Sequence, residues 1–188
     1  MNFNKHYNLE GKHAFMSPSS PYWLNYSQEK LEERYRTSKA AERGTILHAF
    51  AADCIRLGQR LPKSRKTLNM YVNDALGYKM TPEVLLYYSD VCFGTADTIS
   101  FRDNILRIHD YKSGITPAKM EQLLVYSALF CLEYNVNPED IDIELRIYQD
   151  NEIDVCNPMP EKVRQVMGHI ILCDKTISKI KRLEEELE

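Results

Sequence analysis

The chain has 188 residues, 44% of them hydrophobic, which is enough apolar material for one well-buried core, and its length favours a single domain. A net charge of −3 and a pI near 6.0 argue against a high-affinity, non-specific DNA coat protein, whose surface would be basic, but leave room for an enzyme with a local basic groove. The five cysteines (54, 92, 131, 156 and 173) are widely separated and form no Cys-x-x-Cys, which argues against a zinc ribbon and gives no support to a disulfide framework. With neither an apolar leader nor a run of about 18 apolar residues, a cytoplasmic protein with no membrane partner is expected.

In chain order, the first dozen residues are polar, and Ser17-Pro-Ser-Ser-Pro21 supplies turn and capping chemistry ahead of Tyr22-Trp23-Leu24. A short helix presenting the only Trp is predicted there. Gln28 to Arg36 reads as a charged, exposed helix. Arg34, Arg36, Lys39 and Arg43 make one basic stretch and Arg56, Arg60, Lys63, Arg65 and Lys66 another, each read first as a solvated face. A stronger helix is predicted from Gly44 to Leu57, with Leu47, Phe50, Ala51 and Cys54 at core spacing and Gly58 as its stop. A further helix is expected over 66–76, then a strand at Val84-Leu-Leu-Tyr-Tyr88. After a hairpin come a helix from Pro117 to Tyr134, an alternating strand from Asp140 to Tyr148 and a long helix from Pro160 to Leu187.

That order predicts an α/β fold: a small central mixed β-sheet flanked by helices, with an N-terminal helical region (1–43), a core over about 44–150 and a long C-terminal helix (160–187). Val166, Ile170, Cys173, Ile177, Ile180 and Leu187 recur along that last helix at heptad-like spacing. Docking onto the core is the first reading of this stripe, and a self-association seam in a homo-oligomer is the second.

The hairpin carries the chemistry. The runs on either side of Asp103-Asn104 alternate polar and apolar residues and meet at a two-residue turn. With that turn, Asp97 is expected opposite Asp110, Ile99 opposite Ile108 and Phe101 opposite Leu106, all on one face. The apolar end of the face would be core and the acidic end a site. Directly opposed carboxylates, with Cβ atoms about 4.5–5.5 Å apart, repel unless compensated, and a divalent cation is a natural compensator. Lys112 lies on the same face, whereas Tyr111 and His109 point away from it.

Four pieces then stand in sequence: Gly44-x-x-x-His48, Gly94-x-x-Asp97, Asp110-Tyr111-Lys112 and Gln122-x-x-x-Tyr126. In order and spacing they resemble the motifs of the PD-(D/E)XK phosphodiesterase superfamily, in its RecB-type branch, over about residues 44 to 130. The opening His13-Ala-Phe-Met-Ser-Pro-Ser-Ser-Pro-Tyr-Trp-Leu-Asn25 is similar to the start of phage-encoded RecB-like proteins.

The resemblance implies a restriction-endonuclease-like core. Asp97 and Asp110 would ligate one or two Mg²⁺ or Mn²⁺ ions with the Tyr111 carbonyl as a further oxygen ligand, and His48 would approach the metal and tilt preference toward Mn²⁺. Lys112 would position or help deprotonate the attacking water, with Gln122 and Tyr126 holding substrate or ordering that water. Ser113-Gly114 would be a plain turn or would turn backbone N–H groups toward a phosphate. Some RecB-type nucleases hold an iron–sulfur cluster. Here Tyr26 stands near where related sequences can carry the early Cys, and Cys156 and Cys173 are too far apart for the late group, so no cluster is expected.

The implied activity is divalent-metal-dependent hydrolysis of DNA phosphodiesters by a phage exonuclease, with DNA and phage recombination or replication proteins as partners. The alternative is a catalytically inactive nuclease-fold module that binds DNA or protein as an accessory or inhibitor.

Overall fold

The computed structural model describes residues 5–9 and 11–185, and the chain divides into two compact units, residues 1–45 and 46–188. The end of the expected C-terminal helix, including Leu187, lies outside the described residues. In the first unit the predicted short helix is a 3₁₀ turn, Pro21–Asn25, and the Trp23 indole N–H donates to the Ser17 carbonyl at 3.0 Å. Helix α1, Gln28–Arg56, begins in this unit and ends in the second. Two separate helices were expected here. Residues 37–43 contain no Pro or Gly, and Lys, Ala, Glu and Arg there favour helix, so only Gly44, a cost of about 1 kcal/mol, stands against continuity.

The second unit is α/β. Its five-stranded mixed sheet runs in order β1 (Thr81–Ser89), β2 (Cys92–Arg102), β3 (Ile105–Tyr111), β4 (Asp142–Gln149), β5 (Glu152–Cys156). Only β3 and β4 are parallel. A parallel pair needs a crossover, and helix α3, Glu121–Glu133, supplies it. Helix α2, Thr67–Gly77, precedes the sheet, and α4, Pro160–Glu185, follows it.

The sheet buries both faces. Leu106 and Ile108 of β3 and Ile143, Leu145 and Ile147 of β4 pack with Leu123, Leu124 and Ala128 of α3 and with Val163 and Ile170 of α4. Tyr111 and Tyr148 point the other way and pack with Tyr71, Val72 and Ala75 of α2 and Ala51, Cys54 and Ile55 of α1. Each such aliphatic side chain, fully buried, is worth about 1.5–3 kcal/mol. Two expected core residues lie outside this packing. Phe50 is 47% exposed because it sits roughly a third of a turn from the centre of the Ala51, Cys54, Ile55 stripe. Phe101, 41% exposed, lies at the rim of the sheet with its ring 5.1 Å from that of Phe130.

Strand β5 was not anticipated. It forms a hairpin with β4 through Asp150-Asn151, whose φ values of 50° and 63° match those of Asp103-Asn104 (51° and 58°), the left-handed pair that a two-residue hairpin turn requires. Asn151 does a second job. Its side-chain oxygen accepts from the Thr67 backbone N–H at 3.1 Å, and its own N–H donates to the Thr67 hydroxyl at 2.8 Å, so the turn caps α2 across 84 residues of chain. Asn151→Ala should cost about 1–2 kcal/mol, read as a lower urea midpoint at unchanged m-value.

At the outer margin of the sheet, Pro82 has no N–H, Glu83 has φ 51° and skips the β1–β2 pairing, and the Tyr87 N–H donates to the Glu133 carboxylate at 2.8 Å. The first half of α4 docks on α3, whereas Ile177, Ile180 and Leu183 are exposed. Among the described residues no helix is long and apolar enough to cross a membrane.

Candidate active site

The β2–β3 pairing has the register the sequence predicts, from Arg102 opposite Ile105 to Thr98 opposite His109. It stops one step short of pairing Asp97 with Asp110. There the Asp97 side chain takes over: its Oδ2 accepts the Tyr111 backbone N–H at 2.9 Å. The same oxygen lies 3.3 Å from Nδ1 of His48. His48 reaches it because it lies half-buried on the same face of α1 as Ala51 and Ile55, and its ring packs edge-on against Tyr111 at 5.2 Å.

Asp110 continues the buried row of Leu106 and Ile108 and is only 3% exposed. Its Oδ1 accepts from Lys112 Nζ at 3.0 Å, while Oδ2, 2.9 Å from the same ammonium, receives no hydrogen bond. Burial, then the charge of Asp97, raises the Asp110 carboxyl to about 6 against the opposing pull of Lys112. The hydrogen bond to Asp97 raises His48 above its ordinary value.

Lys112 is placed by its own N–H, which donates to the Tyr148 carbonyl at 2.9 Å and carries the β3–β4 ladder one residue past the strand. Its ammonium also donates to Gln122 Oε1 at 3.1 Å. Gln122 Nε2 donates to the Tyr126 hydroxyl at 3.5 Å, and that hydroxyl donates to the Thr95 carbonyl at 2.7 Å. Gln122 and Tyr126, one turn apart on α3, thus close a hydrogen-bonded chain from Asp110 back to β2.

Gly94 makes room for it, because a methyl at that position would sit 3.1 Å from Tyr126 Cε1. Gly94→Ala should shift the ring, stretch its bond to Thr95 and cost up to about 1 kcal/mol. In a Tyr126→Ala background the same change should cost almost nothing, a coupling that a double-mutant cycle in urea would read.

Every candidate site residue of the second unit therefore lies at one end of β2 and β3: His48, Asp97, Asp110, Tyr111, Lys112, Gln122 and Tyr126. They divide into two contacting sets, His48 and Tyr111 with Asp97, and Lys112 with Asp110, Gln122 and, through Gln122, Tyr126. Among the described residues no three His, Cys, Asp or Glu side chains converge as a metal-binding group. The oxygen donors a hard cation takes are nevertheless present in the carboxylates of Asp97 and Asp110, with a buried Asp110 oxygen lacking a hydrogen bond, and the His48 imidazole beside Asp97 adds a nitrogen donor that suits a softer divalent ion.

Gln149 is a positioning residue that sequence reasoning missed. Its Nε2 donates to the Gly114 and Thr116 carbonyls (2.5 and 2.8 Å) and its Oε1 accepts from the Ala118 N–H at 3.0 Å, so it pins the loop between Lys112 and α3. The only sequence signal was its place at the end of an alternating strand.

No protein-family model, curated protein or solved structure matches this chain.

Proposed function

We propose that the protein is a divalent-metal-dependent nuclease hydrolysing DNA phosphodiester bonds, with Asp97, Asp110 and the Tyr111 carbonyl as the oxygen ligands of Mg²⁺ or Mn²⁺ and His48 beside them. The observation that carries this reading is a lysine ammonium held between a buried carboxylate and Gln122, next to a second carboxylate on the neighbouring strand. Bound there, a hard cation would acidify a water and neutralise charge on the scissile phosphate.

The chain's own residues do the rest. Lys112, fixed at both ends, presents an ammonium to the attacking water or to a phosphate oxygen. Gln122, itself held by the Tyr126 hydroxyl, keeps that ammonium in place. His48, bonded to Asp97, limits where that carboxylate can turn. The motif resemblance supports a restriction-endonuclease-like core and an exonuclease of phage recombination or replication working in the host cytoplasm on DNA ends, with self-association through the exposed stripe of α4.

One observation favours a second reading, an inactive nuclease-fold module that binds DNA or protein. Lys112 already compensates Asp110, so the cluster can stand without a cation.

Digestion of end-labelled linear and closed circular DNA with Mn²⁺, Mg²⁺ or EDTA separates the two. Metal-dependent loss of linear DNA, absent in Lys112→Ala, is the expected result. No cleavage of either substrate, together with no thermal shift on adding Mn²⁺, would sink the nuclease reading and leave the binding module.

A further inference from the structure

We propose that residues 1–45 carry a second nucleic-acid site, a groove that holds single-stranded nucleic acid by stacking its bases on aromatic rings and pairing its phosphates with Lys12 and Arg34; this rests on the nuclease reading for its substrate class. The groove is an open cavity of about 890 Å³ contained entirely within this unit. Phe15, Tyr22, Trp23, Tyr26 and Tyr35 all line it. Tyr22 is 74% exposed and Tyr35 49%, so these two rings are accessible, Tyr35 resting edge-on against Phe15 at 5.3 Å. The Trp23 N–H is already satisfied by Ser17, which orients the half-buried indole within the groove lining.

Charge selects the occupant. Residues 1–45 hold seven Lys and Arg against five Asp and Glu, whereas residues 46–188 hold seventeen against twenty-two. The acidic balance of the chain therefore belongs wholly to the second unit. Among the described residues of the groove the one acidic side chain, Glu42, is taken up by Lys39 at 2.7 Å, which leaves Lys12 and Arg34 as the cations open to a ligand. Lysines already lie over these rings, Lys39 5.9 Å from the centroid of Tyr35 and Lys30 5.2 Å from that of Tyr26, so ammonium and ring alternate along the surface. Rings interleaved with cations suit a flexible polyanion that also carries planar faces. In a duplex those faces are hidden in the stack, whereas in a single strand they are available. An acidic peptide would satisfy the cations and leave the rings idle.

The only tryptophan of the chain sits in the groove and supplies the readout. An oligothymidylate of about a dozen nucleotides, added to the full chain in EDTA, should quench Trp23 fluorescence, and blunt duplex of equal length and poly-glutamate should not. Tyr22→Ala, at a position too exposed to matter for packing, should weaken the oligonucleotide about tenfold, and Arg34→Ala should weaken it and flatten its salt dependence. Quenching by poly-glutamate as strong as by oligothymidylate, or indifference to Tyr22→Ala, would overturn stacking. Metal-dependent cleavage without quenching would remove this site and leave the nuclease reading standing, and quenching without cleavage would do the reverse.

Discussion

Asp110→Asn should abolish metal-dependent DNA cleavage, by a factor on the order of a thousand or more, while raising the melting temperature of the metal-free protein at pH 7.5. Active-site residues that are also core residues ordinarily lose stability when changed. Asp110 is different because it extends a row of apolar side chains and is buried with one oxygen that receives no hydrogen bond. Its carboxyl is raised to about 6, chiefly by that burial and then by Asp97, so at pH 7.5 the folded state holds a charge it disfavours.

Asparagine keeps the shape and an acceptor for Lys112, which retains Gln122 as well. We expect a gain of about 1 kcal/mol, or about 2–4 °C. Differential scanning calorimetry in EDTA alongside a nuclease assay tests both halves. A fall in melting temperature would mean that the Lys112 ion pair outweighs the burial penalty, and that Asp110 is kept for structure.

The second large effect is on the pH dependence of stability, and it comes from the pairing of Asp110 with its neighbour His109. His109 is fully buried among Tyr148, Tyr78, Arg146 and Arg107, with Nδ1 3.3 Å from the Tyr148 hydroxyl and Nε2 without a partner. Burial, then the charges of Arg146 and Arg107, pushes it down to about 3. Its folded value is below the unfolded one near 6.5, so its contribution is complete above pH 6.5 and drains away as the pH falls toward 3.

Asp110 has the opposite sign. Its folded value is above the unfolded one near 3.9, so its contribution is complete below pH 3.9 and is lost as the pH rises through 6. Between about pH 4 and 6 the two slopes oppose each other. Asp110→Asn should therefore steepen the acid limb by up to about 1.4 kcal/mol per pH unit relative to the unaltered chain, and His109→Gln should flatten it. Urea unfolding at four or five pH values across that window would show it. Parallel curves for all three proteins would refute both assignments.

Most of the fold could be read from period-two and period-3.6 patterning, because each buried face is built from short runs of uniform character. The hairpin register was legible because Asp103-Asn104 is a two-residue turn flanked by alternation, and Thr98 does lie opposite His109. The same dipeptide in reverse chemical surroundings, Asp150-Asn151, was passed over. Glu152-Ile-Asp-Val-Cys156 alternates polar and apolar residues, but over only five positions, too short a run to announce a strand without the pairing that β4 supplies.

The site was legible as residue types but not as contacts. Alternation places Asp97 facing Asp110, yet a carboxylate at a ladder's end can accept a backbone N–H instead, and Asp97 takes that of Tyr111. Nothing in the spacing of Gln122 says that its amide oxygen would meet Lys112, because the loop between them is shaped by Gln149 from a different strand.

The outer margins of the sheet bear on how the molecule can meet copies of itself. A free strand edge is a template for further strands and the usual route to aggregation. β1 is blunted by Pro82, by the kink at Glu83 and by Glu133 capping Tyr87, and Glu83 is also tied to Arg56 at 2.6 Å. β5 is five residues long and carries Glu152 and Asp154. Neither margin invites a sixth strand, so growth of the sheet into fibrils or strand-swapped dimers is disfavoured, and association between copies is left to the exposed apolar stripe of the last helix.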